Sequence, residues 1–269
     1  MNKLSFGLQY SIFEPRCKGD NRLFYFIVER GLSYNLSDVS NDMIIKVISS
    51  LADDVIFHEG QKGEVREGGP AFWISDALRH RGQDFELITG EQRSEVEIMV
   101  RDGEEIGKIV SVSPIEINGR LDADAFIIST ISDEFNIQNI ESLDGLVAVD
   151  LQGYVRAAKS DDRKLVIDQR LASLIGIAKL TRDEASHVIG LDLLKDKILL
   201  ITDGEKGFDL YANGALHHFD GEPIRAKDTI GAGDTLFARF VVEYMRSHDI
   251  LESARRARGY VADFLRSKR

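Results

Sequence analysis

Hydrophobic positions along this chain recur at two spacings, and each spacing predicts a different element. Leu236, Phe237, Phe240, Val241, Tyr244 and Met245 fall at helical intervals. So do Ala71, Ile74, Ala77 and Leu78, in a stripe that starts at Pro70 and stops at Gly82. A third helix is predicted from about Leu251 to Lys268, and most of its basic residues, Arg255, Arg256, Arg258, Arg266 and Lys268, read as a solvated face and as complements to the helix dipole. Short runs bounded by turn residues predict strands at Leu23–Val28, Asp84–Thr89, Ala125–Ile131, Leu146–Asp150, Ile175–Leu180 and Lys197–Thr202. Val96–Val100 and Ile106–Val112 flank Arg101-Asp102-Gly103-Glu104-Glu105 as a hairpin, and Phe208–Phe219 forms another around Asn213-Gly214. From Asp124 onward strands and helical segments alternate, the pattern of a parallel sheet wrapped by helices, whose ligands bind beyond the carboxyl ends of the strands.

Composition narrows the class. The 269 residues suffice for a large α/β core, and 43% hydrophobic with 29% charged residues is ordinary for a globular chain. A net charge of -11 argues against a nucleic-acid partner, since phosphate backbones are held by Lys and Arg. No apolar run reaches the roughly 20 residues that span a bilayer. Leu4–Phe13 is diluted by Gln9, Tyr10 and Ser11, so it does not read as a signal peptide. The single cysteine, Cys17, cannot form an intrachain disulfide and fits a cytoplasmic location. The six histidines lack metal-ligand spacing, which argues against a structural zinc. Residues 1–22 are the least interpretable and are expected to be an extension preceding one domain at 23–269.

Candidate chemistry concentrates at Asp228–Asp234, Asp-Thr-Ile-Gly-Ala-Gly-Asp, directly before the helix of Leu236. Glycines at a helix N-terminus let an anion approach unpaired N–H groups and the positive end of the dipole. A carboxylate beside such a site suits a general base. Read structurally, the same residues are a tight turn followed by a first-turn acid. Thr181-Arg182-Asp183-Glu184 reads equally as a capping box. Trp73 reads as core or as ligand platform, Asn35 and Asp38 as turn chemistry, and Arg156 as a phosphate contact or a solvated residue.

Every fixed position of Asp228–Asp234 matches the C-terminal signature of the PfkB family, the ribokinase-like carbohydrate kinases, and the chain resembles that family over roughly residues 23–265. Gly68-Gly69-Pro70-Ala71 resembles its N-terminal signature, and Thr202-Asp203-Gly204-Glu205-Lys206-Gly207 its Thr-x-Gly-x-x-Gly pattern. The resemblance implies a ribokinase-like αβα sandwich with a mainly parallel central sheet and a small β lid that includes about residues 95–113. It implies an ATP-dependent kinase that transfers the γ-phosphate to a hydroxyl of a sugar, sugar acid, polyol or nucleoside. Asp234 would be the base, and the N–H groups of Gly231, Ala232 and Gly233 the stabilisers of the transferring phosphoryl group. Gly68, Gly69 and either Asn35 or Asp38 would bind the acceptor. Thr202, Gly204, Gly207, Glu184 and Thr229 would serve ATP, with Glu184 holding magnesium through water. Asp228 and the carbonyl of Ile230 would hold potassium, and lid strands would pair in a homodimer. Asn35 stands where the family has Asp, Trp73 where it often has Asn, and Thr181 where it has Asn. These departures motivate the alternative of a ligand-binding sensor without turnover.

Overall fold

A computed structural model of the protein describes residues 43–58, 63–101 and 104–268. They fall in a compact unit, Val39–Arg269. The strand expected at Leu23–Val28, the boundary at residue 22, and Asn35 and Asp38 lie outside the described residues.

The described chain begins with three strands, β1 (Ile45–Ser49), β2 (Ala52–His58) and β3 (Glu64–Gly68), and then helix α1 (Pro70–His80). The sequence pattern did not single out these strands. Lys46 interrupts the apolar run of β1, yet its amine reaches the edge of the sheet and pairs with Glu86 at 2.9 Å. In β2 and β3, Asp53, Asp54, Glu64, Arg66 and Glu67 obscure any alternation. After α1 come β4 (Phe85–Ile88), β5 (Ser94–Arg101), β6 (Glu104–Ser111), β7 (Leu121–Ser129) and β8 (Leu143–Asp150). Then follow α2 (Gln152–Ser160), β9 (Leu165–Val166), α3 (Gln169–Leu174), β10 (Ile177–Thr181), α4 (Arg182–Ala185), β11 (Val188–Ile189) and β12 (Ile198–Thr202). The chain closes with β13 (Gly207–Ala212), β14 (Ala215–Asp220), α5 (Ala232–Ser247) and α6 (Ile250–Ser267).

The central sheet has eight strands in the order β14-β13-β12-β10-β8-β7-β1-β4. Those from β12 to β4 run parallel, and the β13–β14 hairpin is added antiparallel at one edge. Its two-residue turn holds Asn213 at φ 51° and Gly214 at φ 74°, the left-handed pair that matches the twist of a hairpin. Side chains alternate across the sheet. Ile45, Val47, Ala125, Ile127 and Ile177 face α1, α5 and α6, while Ile48, Phe126, Ile128, Val149 and Leu180 face the α2 and α3 side. Burial on both faces is what a parallel sheet with helices on each side requires.

A second, four-stranded sheet has the order β3-β2-β5-β6 and forms the lid. The expected hairpin is its β5–β6 half. Its β2–β3 half comes from residues just before α1, so the lid is wider than residues 95–113.

Candidate active site

The carboxyl ends of β7, β8, β10 and β12, the lid, and the N-terminus of α5 surround a cavity of about 620 Å³. Gly231 is the N-cap of α5, with φ 80°. A Cβ there would lie 2.2 Å from Cδ2 of Trp73, so both the backbone twist and the packing require glycine. The Ala232 N–H donates to the Thr229 carbonyl at 3.0 Å and closes the turn. Among the described residues the N–H groups of Gly233 and Asp234 have no acceptor, so these two amides carry the free anion-binding capacity of the helix end. Of the three amides expected to act together, the one of Ala232 is already engaged.

Asp234 lies on the cavity floor and accepts a hydrogen bond from Ser129 Oγ at 3.1 Å. Burial pushes its carboxyl up to about 6, with Asp150 adding to the effect and Lys179, Ser129 and Arg156 opposing it. A carboxyl titrating there is matched to proton transfer near neutrality. Beneath it Lys179 Nζ donates to Asp150 Oδ2 at 2.7 Å, both side chains fully buried. Burial alone would lower the lysine, but Asp150, Asp234 and Glu184 outweigh it and hold the ammonium above its ordinary value. Gly233 gives this ammonium room: a Cβ there would sit 2.9 Å from Nζ. Lys179 was missed in the sequence because a lysine within an apolar strand carries no periodic signal.

One wall of the cavity is built by β2, β3 and the start of α1. Asp54, on β2, is buried with its carboxylate against Gly68, where a Cβ would come within 1.8 Å of Oδ2. Burial raises its carboxyl, while a hydrogen bond from the Gly69 backbone and the charge of Arg93 pull it back. Gly69 has φ 77° and its Cβ position is filled by the Ser50 carbonyl. The glycine pair therefore seats a buried aspartate at the cavity wall, and Asp54, not named from sequence, is the acid that lines the cavity there. Trp73 also lines it while packing edge-on against Phe264.

On the opposite side Thr181, Thr202, Gly204, Gly207 and Thr229 line the cavity. Gly204 and Gly207 adopt φ 56° and 99°, conformations that keep backbone rather than side chains at the surface. Glu184 is held differently. Its Oε2 accepts the Thr181 N–H at 2.8 Å and Thr181 Oγ1 accepts the Glu184 N–H at 3.3 Å, a complete capping box. Arg156 lines the cavity and donates to the Ile131 carbonyl. Among the described residues no cluster of three or more His, Cys, Asp or Glu could enclose a metal ion.

Asp228 and Ile230 do not present a vacant oxygen pair. Lys268 Nζ donates to Asp228 Oδ1 at 2.7 Å and to the Ile230 carbonyl at 2.6 Å. Lys268 is thus no part of a solvated face; its side chain is 16% exposed. With that ammonium on both oxygens, the pair does not fit a potassium ion.

A parallel sheet between helical layers, a β lid and a glycine-flanked acid at a helix N-terminus define the ribokinase-like class of fold. Residues 122–263, more than half of the chain, match the model of the pfkB family carbohydrate kinases, and the protein belongs to that family. Probable fructokinase-5 of Arabidopsis thaliana is 37% identical over 76 residues, a stretch that spans 27% of this chain and only 24% of that relative. Arabidopsis thaliana ribokinase complexed with ribose and ATP has the same fold, with a TM-score of 0.65, 17% identity, and 81% and 91% of the two chains covered. So does a pyrophosphate-dependent kinase in the ribokinase family complexed with a pyrophosphate analog and myo-inositol, with a TM-score of 0.64, 18% identity, and 83% and 95% covered.

Proposed function

We propose that this protein transfers the γ-phosphoryl group of ATP to a hydroxyl of a sugar, sugar acid, polyol or nucleoside. The observation that carries this reading is Asp234, a carboxyl raised to about 6 at the N-terminus of α5, beside two unpaired amides. Asp234 takes the hydroxyl proton as the acceptor oxygen bonds to the γ-phosphorus and the bond from that phosphorus to the β,γ-bridging oxygen breaks, releasing ADP. The amides of Gly233 and Asp234 face the charge on the transferring group, joined by that of Ala232 if it leaves Thr229. Magnesium brought by the nucleotide would neutralise charge on its phosphates, and Glu184 would be the carboxylate that reaches it through water.

Asp54 and the Gly68-Gly69 backbone hold the acceptor hydroxyls, the first with its carboxylate and the second by close approach. Thr202, Gly204, Gly207 and Thr229 receive the nucleotide. The lid excludes water that would compete for the phosphoryl group.

The test is an ADP-release assay over ribose, fructose, myo-inositol, 2-keto-3-deoxygluconate and nucleosides, repeated with pyrophosphate as donor and release of orthophosphate as the readout. ATP-dependent product from one acceptor is expected. Binding of an acceptor with no product from either donor would overturn the reading in favour of a sensor, and turnover with pyrophosphate alone would overturn ATP as donor.

A further inference from the structure

Four groups converge on the ammonium of Lys268. Besides the oxygens of Asp228 and Ile230, the ring centroids of Trp73 and Phe264 stand 4.5 and 4.8 Å from Nζ. Carboxylate, carbonyl and two aromatic faces are a donor set for a single positive charge in a partly desolvated pocket. The lysine is also fixed through its backbone. As the C-cap of α6 it accepts the Lys227 N–H at 3.0 Å and donates to the Leu265 carbonyl at 3.2 Å. Lys227 and Asp228 therefore hold it from backbone and side chain respectively, just before the turn that ends in Gly231.

Arg66 of β3 also faces this point, with Nη1 3.8 Å from Asp228 Oδ2 and Nη2 paired to Glu64 Oε2 at 2.8 Å. Two cations thus flank the buried Asp228 carboxylate, and a free metal ion added between Asp228 and Ile230 would meet the repulsion of both. The bond to the Ile230 carbonyl matters most for chemistry. It fixes the peptide that leads into Gly231, and Gly231 packs on Trp73, the ring beneath the same ammonium. The loop that presents the Gly233 and Asp234 amides is consequently braced by a tethered charge.

We infer that Lys268 is an internal cation for the anion-binding loop, filling with its ammonium the position between Asp228 and the Ile230 carbonyl, so that the loop keeps its form without a free monovalent ion. Lys268 is a positioning residue, acting through the loop and not on the reacting atoms. Its effect on rate rests on the kinase reading, but its effect on cation binding does not.

Trp73 is the only tryptophan in the chain, so its fluorescence reports directly on the cage. The full-length protein is titrated with potassium chloride against tetramethylammonium chloride at constant ionic strength, as wild type, Lys268→Met and Lys268→Gln. Wild type is expected to give no saturable potassium response, and the variants a saturable one. In the transfer assay the wild-type rate stays flat with potassium. Lys268→Met loses about ten-fold without it, within the usual range of coupling between sites, and recovers when potassium is added. A saturable potassium response in wild type overturns the inference whatever the variants do. So does a folded Lys268→Met that neither responds to potassium nor differs from wild type. Potassium binding gained by the variants in a protein that phosphorylates no acceptor supports the internal cation and overturns the kinase reading alone.

Discussion

On the cavity floor, Lys179 and Asp150 pair with side chains 2% and 1% exposed, whereas on the lid Lys108 and Glu97 pair at 74% and 39% exposure. The same kind of contact does different things in the two places. On the floor, water is excluded, each charge acts strongly on its neighbours, and the protonation of Asp234 is set by Asp150 and Lys179 as well as by burial. On the lid, solvent screens the charges, and what faces the cavity is apolar surface from Val96, Ile98 and Ile109. The floor around Asp234 is governed by electrostatics, and the lid side of the cavity by shape around one buried acid, Asp54.

The contrast is sharpest at Asp234. Asp234→Asn is expected to lose roughly 10²- to 10⁴-fold in turnover, the usual worth of a general base, with ATP binding retained in a calorimetric titration. Activity near that of wild type would remove the base assignment. Next, Lys179→Met leaves Asp150 buried without its partner and is expected to cost about 3–5 kcal/mol in urea unfolding, with turnover falling as Asp234 loses its counter-charge. A cost below about 1 kcal/mol would mean the floor is as solvated as the lid.

A pH series tests the floor in a second way. The Asp234 carboxyl, raised to about 6 in the fold, must be ionised to accept a proton, so turnover should fall as pH drops through about 6. Stability runs the other way. A folded pKa above the unfolded one contributes stability that is complete below the unfolded value and is lost as pH rises through about 6. Asp234→Asn should therefore melt no lower than wild type at pH 8, and a clear drop in Tm would break this account. On the lid, Gly68→Ala forces a Cβ into the Asp54 carboxylate and is expected to raise the acceptor KM more than it lowers kcat. Lys108→Ala, at the other extreme, should shift stability by less than about 1 kcal/mol.

Much of the frame could be read along the chain. The alternation of β7, β8, β10 and β12 with helices and the Asn213-Gly214 turn were visible because their signals are local: periodicity, turn chemistry and capping. The Thr181 and Glu184 box was legible for the same reason, and the structure forms both of its bonds. The strands β1, β2 and β3 were not, because charged residues at their edges and in the lid broke the pattern that burial would otherwise have written. Asp54 escaped notice with them, since an aspartate in a charged strand looks solvated until Gly68 is folded against it.

The sequence by itself determined the anion-binding turn before α5, the acid within it and the family, because a helix N-terminus and its glycines are defined by neighbours a few residues apart. Tertiary structure decided how those groups are charged and braced. Lys179 meets Asp150 across 29 positions, Ser129 meets Asp234 across 105, and Lys268 reaches Asp228 across 40. A lone charged residue reads as solvated until folding removes the water around it. The protonation of Asp234 and the cation between Asp228 and Ile230 are therefore properties of the packed chain and not of any stretch of it.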